Sequence, residues 1–271
     1  MRQQAANKRK HTGQNKREHY IYGALVAVGL FLIVAASGGI IATEREYSSA
    51  RDEYDKLSEL YPVMSAYLTE IQDAAGLDPQ SQGRGSPFSS SGNSADVHPD
   101  PLKGLREVNP DFIGWISIGD FINYPVVRGR NNSHYLNTTF TGQNNIAGAV
   151  FMDYKLSRGF DETVCILYGH NMRDGTIFAP LHQYRDASFI LDHPYITIVT
   201  ADGELLTYRI FAAKVTDVWD KAYSLNFPDV ASAVKALGGA PGGADHFLLL
   251  STCTSNSNKN ERLLVYAALA P

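Results

Sequence analysis

Cys253 stands at the end of an apolar run, Leu248 to Leu250 followed by Ser251 and Thr252, and Arg262 opens the next one, Leu263 to Leu269. Upstream, Val164 to Tyr168 is followed by Gly169-His170-Asn171. Short apolar runs bounded by polar and turn residues read as buried strands, with Thr254 to Glu261 as the loop between two of them. A thiol, an imidazole and a guanidinium therefore fall near strand ends and can converge on one rim of a β-barrel. The chemistry open to such a trio is narrow: a thiolate attacks a carbonyl carbon, His170 protonates the leaving amine, and Arg262 stabilises the oxyanion or holds the substrate backbone. Arg suits that task because it stays charged and presents a rigid fork of donors. Taken singly, a free Cys is usually a small buried hydrophobe and a His after a strand is an ordinary loop residue; the combination carries the reading. Thiolate and imidazolium must coexist for the first step. Isolated groups of these kinds titrate in the wrong order for that, so a small competent fraction and slow turnover are expected.

The elements that must position the trio are mostly strands. Short runs at 115–118, 124–127, 149–152, 164–168, 195–200, 204–218, 247–253 and 263–269, separated by turn residues, predict a mostly β fold: a closed, eight-stranded, mostly antiparallel barrel. Residues 176–184 and 229–237 read as peripheral helices. The domain over 102–271 is long enough for one core. Ahead of it, 44–75 is rich in helix formers, with apolar positions at Leu57, Leu60, Tyr61, Met64, Tyr67, Leu68 and Ile71, and predicts an amphipathic helix interrupted at Pro62. Residues 76–101 turn to Ser, Gly, Pro and Asp and predict a flexible linker.

Residues 20–43 carry no charge over 24 positions, enough for a transmembrane helix across a hydrocarbon core of roughly 30 Å. Residues 1–19 hold six Lys/Arg against one acidic residue, which predicts a cytoplasmic tail with everything after about residue 44 outside the cell membrane. A cleaved signal peptide is the alternative, although its apolar region is normally about 7 to 15 residues. The full chain has net charge −4; without the tail, 18 basic residues (24 less 6) face 27 acidic ones (28 less 1), giving −9. That balance offers nothing to nucleic acid.

Cys165 lies five residues before His170, roughly 16 Å along a strand from the rim, too far to bridge Cys253. It reads as a core residue, and Cys253 as a free thiol. His134, His182, His193 and His246 show no metal-ligand spacing, so no metal or other cofactor is expected. Asp174 follows His170 closely and is open to two readings, the orienting carboxylate of the imidazole or, with Gly175, a turn.

These residues resemble the class B sortases, membrane-anchored cysteine transpeptidases of Gram-positive bacteria. The family's TLxTC strand corresponds to Leu249-Leu250-Ser251-Thr252-Cys253, its Arg to Arg262, and the His of its Y-G-H-N turn to His170. Gly-Trp-Ile, Tyr-Pro-Val, Asn-x-x-Tyr-Leu and Gly-x-x-Phe-Met-Asp elements between 109 and 154 agree, so the likeness covers roughly residues 102 to 269. It implies a sortase-type barrel, an N-terminal helix packed against it, and a helix walling the groove before the Cys strand. By the same resemblance, Asn132, Leu136, Ser251 and Thr252 are substrate-binding candidates. The implied reaction cleaves a sorting motif of secreted proteins, of NP-x-T-x type, through a thioacyl intermediate. The Thr carbonyl passes to an amine of a peptidoglycan precursor or, in pilus-building relatives, of a pilin Lys. Two departures stand out. Leu249 and Leu250 replace the usual Thr-Leu pair, and Thr254 and Ser255 stand where an acidic residue often follows the Cys. A cysteine peptidase, an L,D-transpeptidase and a non-enzymatic surface protein are the rival classes. The second of these usually has Arg two residues after its Cys, where this chain has Ser255.

Overall fold

The runs that lead to His170 and Cys253 are continuously apolar rather than alternating, which marks strands covered on both faces. In the computed structural model, which describes residues 32, 35, 41–57, 59, 84–85, 101–255 and 258–270, they are hydrogen-bonded neighbours in the sheet. The strands are β1 (Arg84–Gly85), β2 (Phe112–Ile118), β3 (Ile122–Val127), β4 (Val150–Met152), β5 (Val164–Tyr168), β6 (Tyr195–Thr200), β7 (Leu205–Asp217), β8 (Phe247–Cys253) and β9 (Glu261–Leu269). Their order is β7-β6-β2-β3-β4-β5-β8-β9, and β9 pairs back onto β7, closing an eight-stranded barrel. The β3–β4 and β5–β8 pairs are parallel; the other six are antiparallel.

One face of β5 and β8 looks into the barrel, where Leu248, Leu250 and Cys165 are buried. The other carries Val164, Ile166, Phe247 and Leu249, which pack with Ala222 and Ala233 of the long β7–β8 connection. That connection holds a helix, Val230–Ala236, capped by the Asp229 side chain accepting from the Ser232 amide. Burial from Phe247 to Thr252 ends at Cys253, so the strand that builds the core also delivers the thiol to the surface.

Several elements depart from expectation. β9 starts at Glu261 rather than Leu263, which puts Arg262 inside the ladder. The helix expected over 176–184 is a 3-10 helix over Ala179–Arg185, because Ile177 has φ 58° and cannot belong to a right-handed helix. Helices Pro101–Val108 and Ala187–Asp192 were not anticipated. Within the expected linker 76–101, Arg84–Gly85 pairs with β7; most of that stretch, like residues 60–75 and most of the expected span 20–43, lies outside the described residues. Among the described residues no helix is long and apolar enough to cross a membrane. The N-terminal segment is helical over 41–57, and residues 49–271 form one compact unit. Within that unit the helix is anchored by the buried Ala50 and Tyr54 rather than by Leu57. The Tyr54 hydroxyl donates to the Gly148 carbonyl at 2.6 Å, and its ring meets Tyr124 edge-on at 5.3 Å.

Candidate active site

Strand register brings the three predicted residues to one rim. Cys253 is opposite Arg262 in the antiparallel β8–β9 ladder. Tyr168 is beside Ser251 in the parallel β5–β8 ladder, so His170 and Cys253 each lie two residues beyond that pair. A groove of about 370 Å³ opens there. Cys253, His170 and Arg262 line it, as do Asn132, Leu136, Ser251 and Thr252, together with Phe151, Tyr168, Val218 and Tyr223, which sequence reasoning did not select.

The two thiols differ as expected. Cys253 is exposed and Cys165 is buried. Burial pushes the Cys165 thiol up to about 12, and its Sγ lies 3.3 Å from the Gly159 carbonyl.

The imidazole of His170 is held by the backbone. Its Nε2 lies 2.7 Å from the Leu136 carbonyl, and since a carbonyl only accepts, Nε2 carries the hydrogen and Nδ1 is the basic nitrogen of the neutral ring. Leu136 thus acts twice, its carbonyl on His170 and its half-exposed side chain on the groove. The turn itself packs tightly: a Cβ on Gly169 would come within 2.6 Å of the Phe178 ring, which is why Gly precedes the His. The Phe178 amide donates to the His170 carbonyl at 3.0 Å. Asp174 is the turn residue that its pairing with Gly175 predicts, in a turn closed by the Gly175 amide donating to the Met172 carbonyl at 3.1 Å, rather than the orienting carboxylate of His170. It accepts from the Thr176 amide and hydroxyl and from Arg51 of the N-terminal helix at 3.1 Å. Partial burial works the other way, yet the bonds from Thr176 and Arg51 leave its carboxyl below the ordinary carboxylate range.

Arg262 is oriented by its own loop, Nη1 donating to the carbonyls of Lys259 at 2.8 Å and Glu261 at 2.9 Å. Ser251 shares a 2.8 Å hydrogen bond with Tyr223 from the β7–β8 connection. Desolvation raises the Tyr223 phenol, while the Ser251 bond and Arg262 pull it down. Thr252 is buried with its hydroxyl unpartnered among the described residues. At the edge where an acidic residue was missing from the sequence motif, β9 supplies one: Glu261 accepts from the Thr254 hydroxyl at 2.7 Å. Asn171 ties the His turn to the same loop by donating to Ser255 at 3.1 Å.

Asn132 is built into a carboxylate clamp. Its Nδ2 donates to Asp153 Oδ2 at 2.8 Å, and its Oδ1 accepts from the Tyr154 amide at 3.0 Å. Tyr168 donates to the same Asp153 oxygen at 3.1 Å, and the Lys155 amide reaches Oδ1. Burial, then the Asp153 charge, drive the Tyr168 phenol upward. Asp153 is 5 % exposed; in the sequence it closes the Gly-x-x-Phe-Met-Asp element, which did not single it out as a site residue. Tyr223 and His182, whose Nε2 lies 3.0 Å from the Cys253 carbonyl, come from distant connections and leave no local pattern. Among the described residues no group of His, Cys, Asp and Glu is arranged to hold a metal ion.

The Sortase domain family model matches residues 116–270. Sortase B of Listeria monocytogenes is 29% identical over 185 residues, covering 63% of this chain and 74% of its own length. The X-ray structure of Clostridium perfringens sortase B superposes with a TM-score of 0.55 at 28% identity, covering 61% of this chain and 97% of that one. A Staphylococcus aureus sortase B–substrate complex shares the fold, with a TM-score of 0.62 at 23% identity over 82% of this chain and 97% of its own.

Proposed function

The chain belongs to the sortase family, in its class B, and from that premise we propose that it joins secreted proteins carrying a C-terminal sorting motif to an amine of the cell wall. The observation that carries this reading is the placement of Cys253 opposite Arg262 with His170 on the same rim, facing one groove. The Cys253 thiolate attacks the Thr carbonyl of the motif. The oxyanion is met by the Arg262 guanidinium, whose Nη1 is already fixed on two loop carbonyls. With Nε2–H engaged on Leu136, the proton delivered to the departing amine is the one on Nδ1 of the imidazolium. The acceptor amine then attacks the thioacyl carbonyl, His170 takes its proton, and the thiolate is released.

Asn132, Leu136, Ser251 and Thr252, which line the groove, bind the motif along it. The N-terminal tail lies in the cytoplasm, residues 20–43 anchor the chain, and the catalytic domain works outside the cell membrane. A peptide library of x-P-x-T-x variants, incubated with the full-length chain with and without diglycine or a Lys-containing acceptor and followed by mass, tests the proposal. Thioacyl adducts on Cys253 and amine-dependent ligation to diglycine are expected. Ligation only to the Lys side chain would replace wall anchoring by pilin polymerisation. Hydrolysis without ligation would point to a peptidase, and the absence of any adduct would overturn the reading.

A further inference from the structure

The β8 strand ends in a carbonyl that its neighbour cannot reach. In the parallel β5–β8 ladder the Ser251 carbonyl accepts from the Gly169 amide at 3.2 Å. Backbone groups alternate direction along a strand, so the carbonyl two residues on, that of Cys253, points to the same side. There β5 has already stopped, at Tyr168, and the chain has turned away through His170. The position is filled by a side chain instead: His182 Nε2 lies 3.0 Å from the Cys253 oxygen. Because the carbonyl only accepts, Nε2–H is the donor whether the ring is neutral or charged.

His182 is well placed to hold that carbonyl still. It lies on the 3-10 helix Ala179–Arg185, between Leu181 and Tyr184, which are buried at 0 % and 1 % exposure. The Tyr184 hydroxyl is fixed on the His193 carbonyl at 2.8 Å. The same segment holds the other member of the pair, since the Phe178 amide just ahead of this helix donates to the His170 carbonyl at 3.0 Å and Leu181 in turn donates to the Phe178 carbonyl. One short element therefore grips the backbone of both His170 and Cys253.

We propose that His182 is a positioning residue for the nucleophile, replacing the missing strand partner of Cys253 and setting where its thiol stands relative to His170. The functional half of this proposal rests on the transpeptidase reading, while its geometric half does not. A displaced nucleophile costs rate rather than binding. His182→Phe keeps the ring volume and removes the donor; His182→Gln keeps a donor amide.

In the full-length chain, steady-state ligation should show kcat reduced about ten- to hundredfold in His182→Phe, with KM within about twofold of the parent and recovery to within about threefold in His182→Gln. In parallel, cysteine is labelled with ¹³C at its carbonyl, and the Cys253 signal is assigned by its loss in Cys253→Ala. That resonance should move upfield in His182→Phe and return towards the parent position in His182→Gln. An unmoved carbonyl signal in His182→Phe overturns the contact, whether or not any sorting peptide is turned over. A moved signal with unchanged kcat, or with equal losses in both variants, overturns the positioning role. If His182→Phe does not fold, the comparison of His182→Gln with His182→Ala by the same two readouts decides between these outcomes.

Discussion

Cys253 and Arg262 face each other directly across the antiparallel β8–β9 pair. Side chains at such positions leave the sheet on the same face with Cβ atoms about 5 Å apart. The nucleophile and the guanidinium are therefore related by the rigid ladder of the barrel and not by a mobile loop, even though eight residues separate them in the chain. The His170 turn is fixed to the same frame through the Leu136 carbonyl and the Phe178 amide.

A polar thiol reagent will distinguish the two cysteines. Cys253 is exposed, whereas Cys165 is buried with its thiol pushed up to about 12, so it is both inaccessible and protonated at neutral pH. Peptide mapping of the alkylated native protein should find one modified site, Cys253, together with loss of activity. Modification of Cys165 in folded protein would contradict the assignment.

Arg262→Lys keeps the charge and loses the fork. An ammonium has all its N–H donors on one nitrogen, so it cannot hold the carbonyls of Lys259 and Glu261 with one nitrogen, as Nη1 does, and present another to an oxyanion. We expect kcat to fall by about a hundredfold or more, the scale of losing one such donor, with the melting temperature unchanged. Activity within a few-fold of the parent would make Arg262 structural.

Asp153→Ala removes the acceptor shared by Asn132 and Tyr168 and leaves both donors without it. Hydrogen bonds to a charged group contribute about 1.5–3 kcal/mol, so urea unfolding should shift by about that amount, and KM for the peptide should rise because Asn132 loses its orientation. Tyr168→Phe deletes one bond only and should cost about 1 kcal/mol. Equal stabilities for the two variants would mean that the carboxylate is not shared.

The bridge between Arg51 and Asp174 ties the N-terminal helix to the loop that follows His170. The folded-state value of Asp174 is depressed, so its contribution to stability is complete above the ordinary value near 3.8 and is lost as pH falls through the lower folded value. The stability difference between the parent and Asp174→Asn should be flat near neutrality and shrink in that acid window. Because Arg51 is half exposed, the Arg51–Asp174 coupling itself should be below about 1 kcal/mol. A difference that grows on acidification would reverse the sign and refute the assignment.

Much of the barrel was legible without coordinates, because strands covered on both faces must be apolar at nearly every position. The runs 164–168 and 247–253 coincide with β5 and β8, and the run 195–200, legible instead by its partial alternation, with β6. The cysteine, histidine and arginine stood out because each interrupts or borders such a run with a group that has no business in a core. Local chain features also marked the helix Val230–Ala236, expected over 229–237, in which Asp229 serves as the cap rather than as a helical residue. Other features have no local signature. The parallel pairing of β5 with β8 joins segments some eighty residues apart, and only that pairing brings His170 level with Cys253. The register that opposes Cys253 to Arg262, the Glu261 carboxylate at Thr254, and the Asp153 clamp on Asn132 are likewise bonds between residues whose spacing in the chain carries no period. Patterning by burial decides which residues form strands and where each strand ends. Which ends meet is decided by barrel closure, a property of all eight strands together.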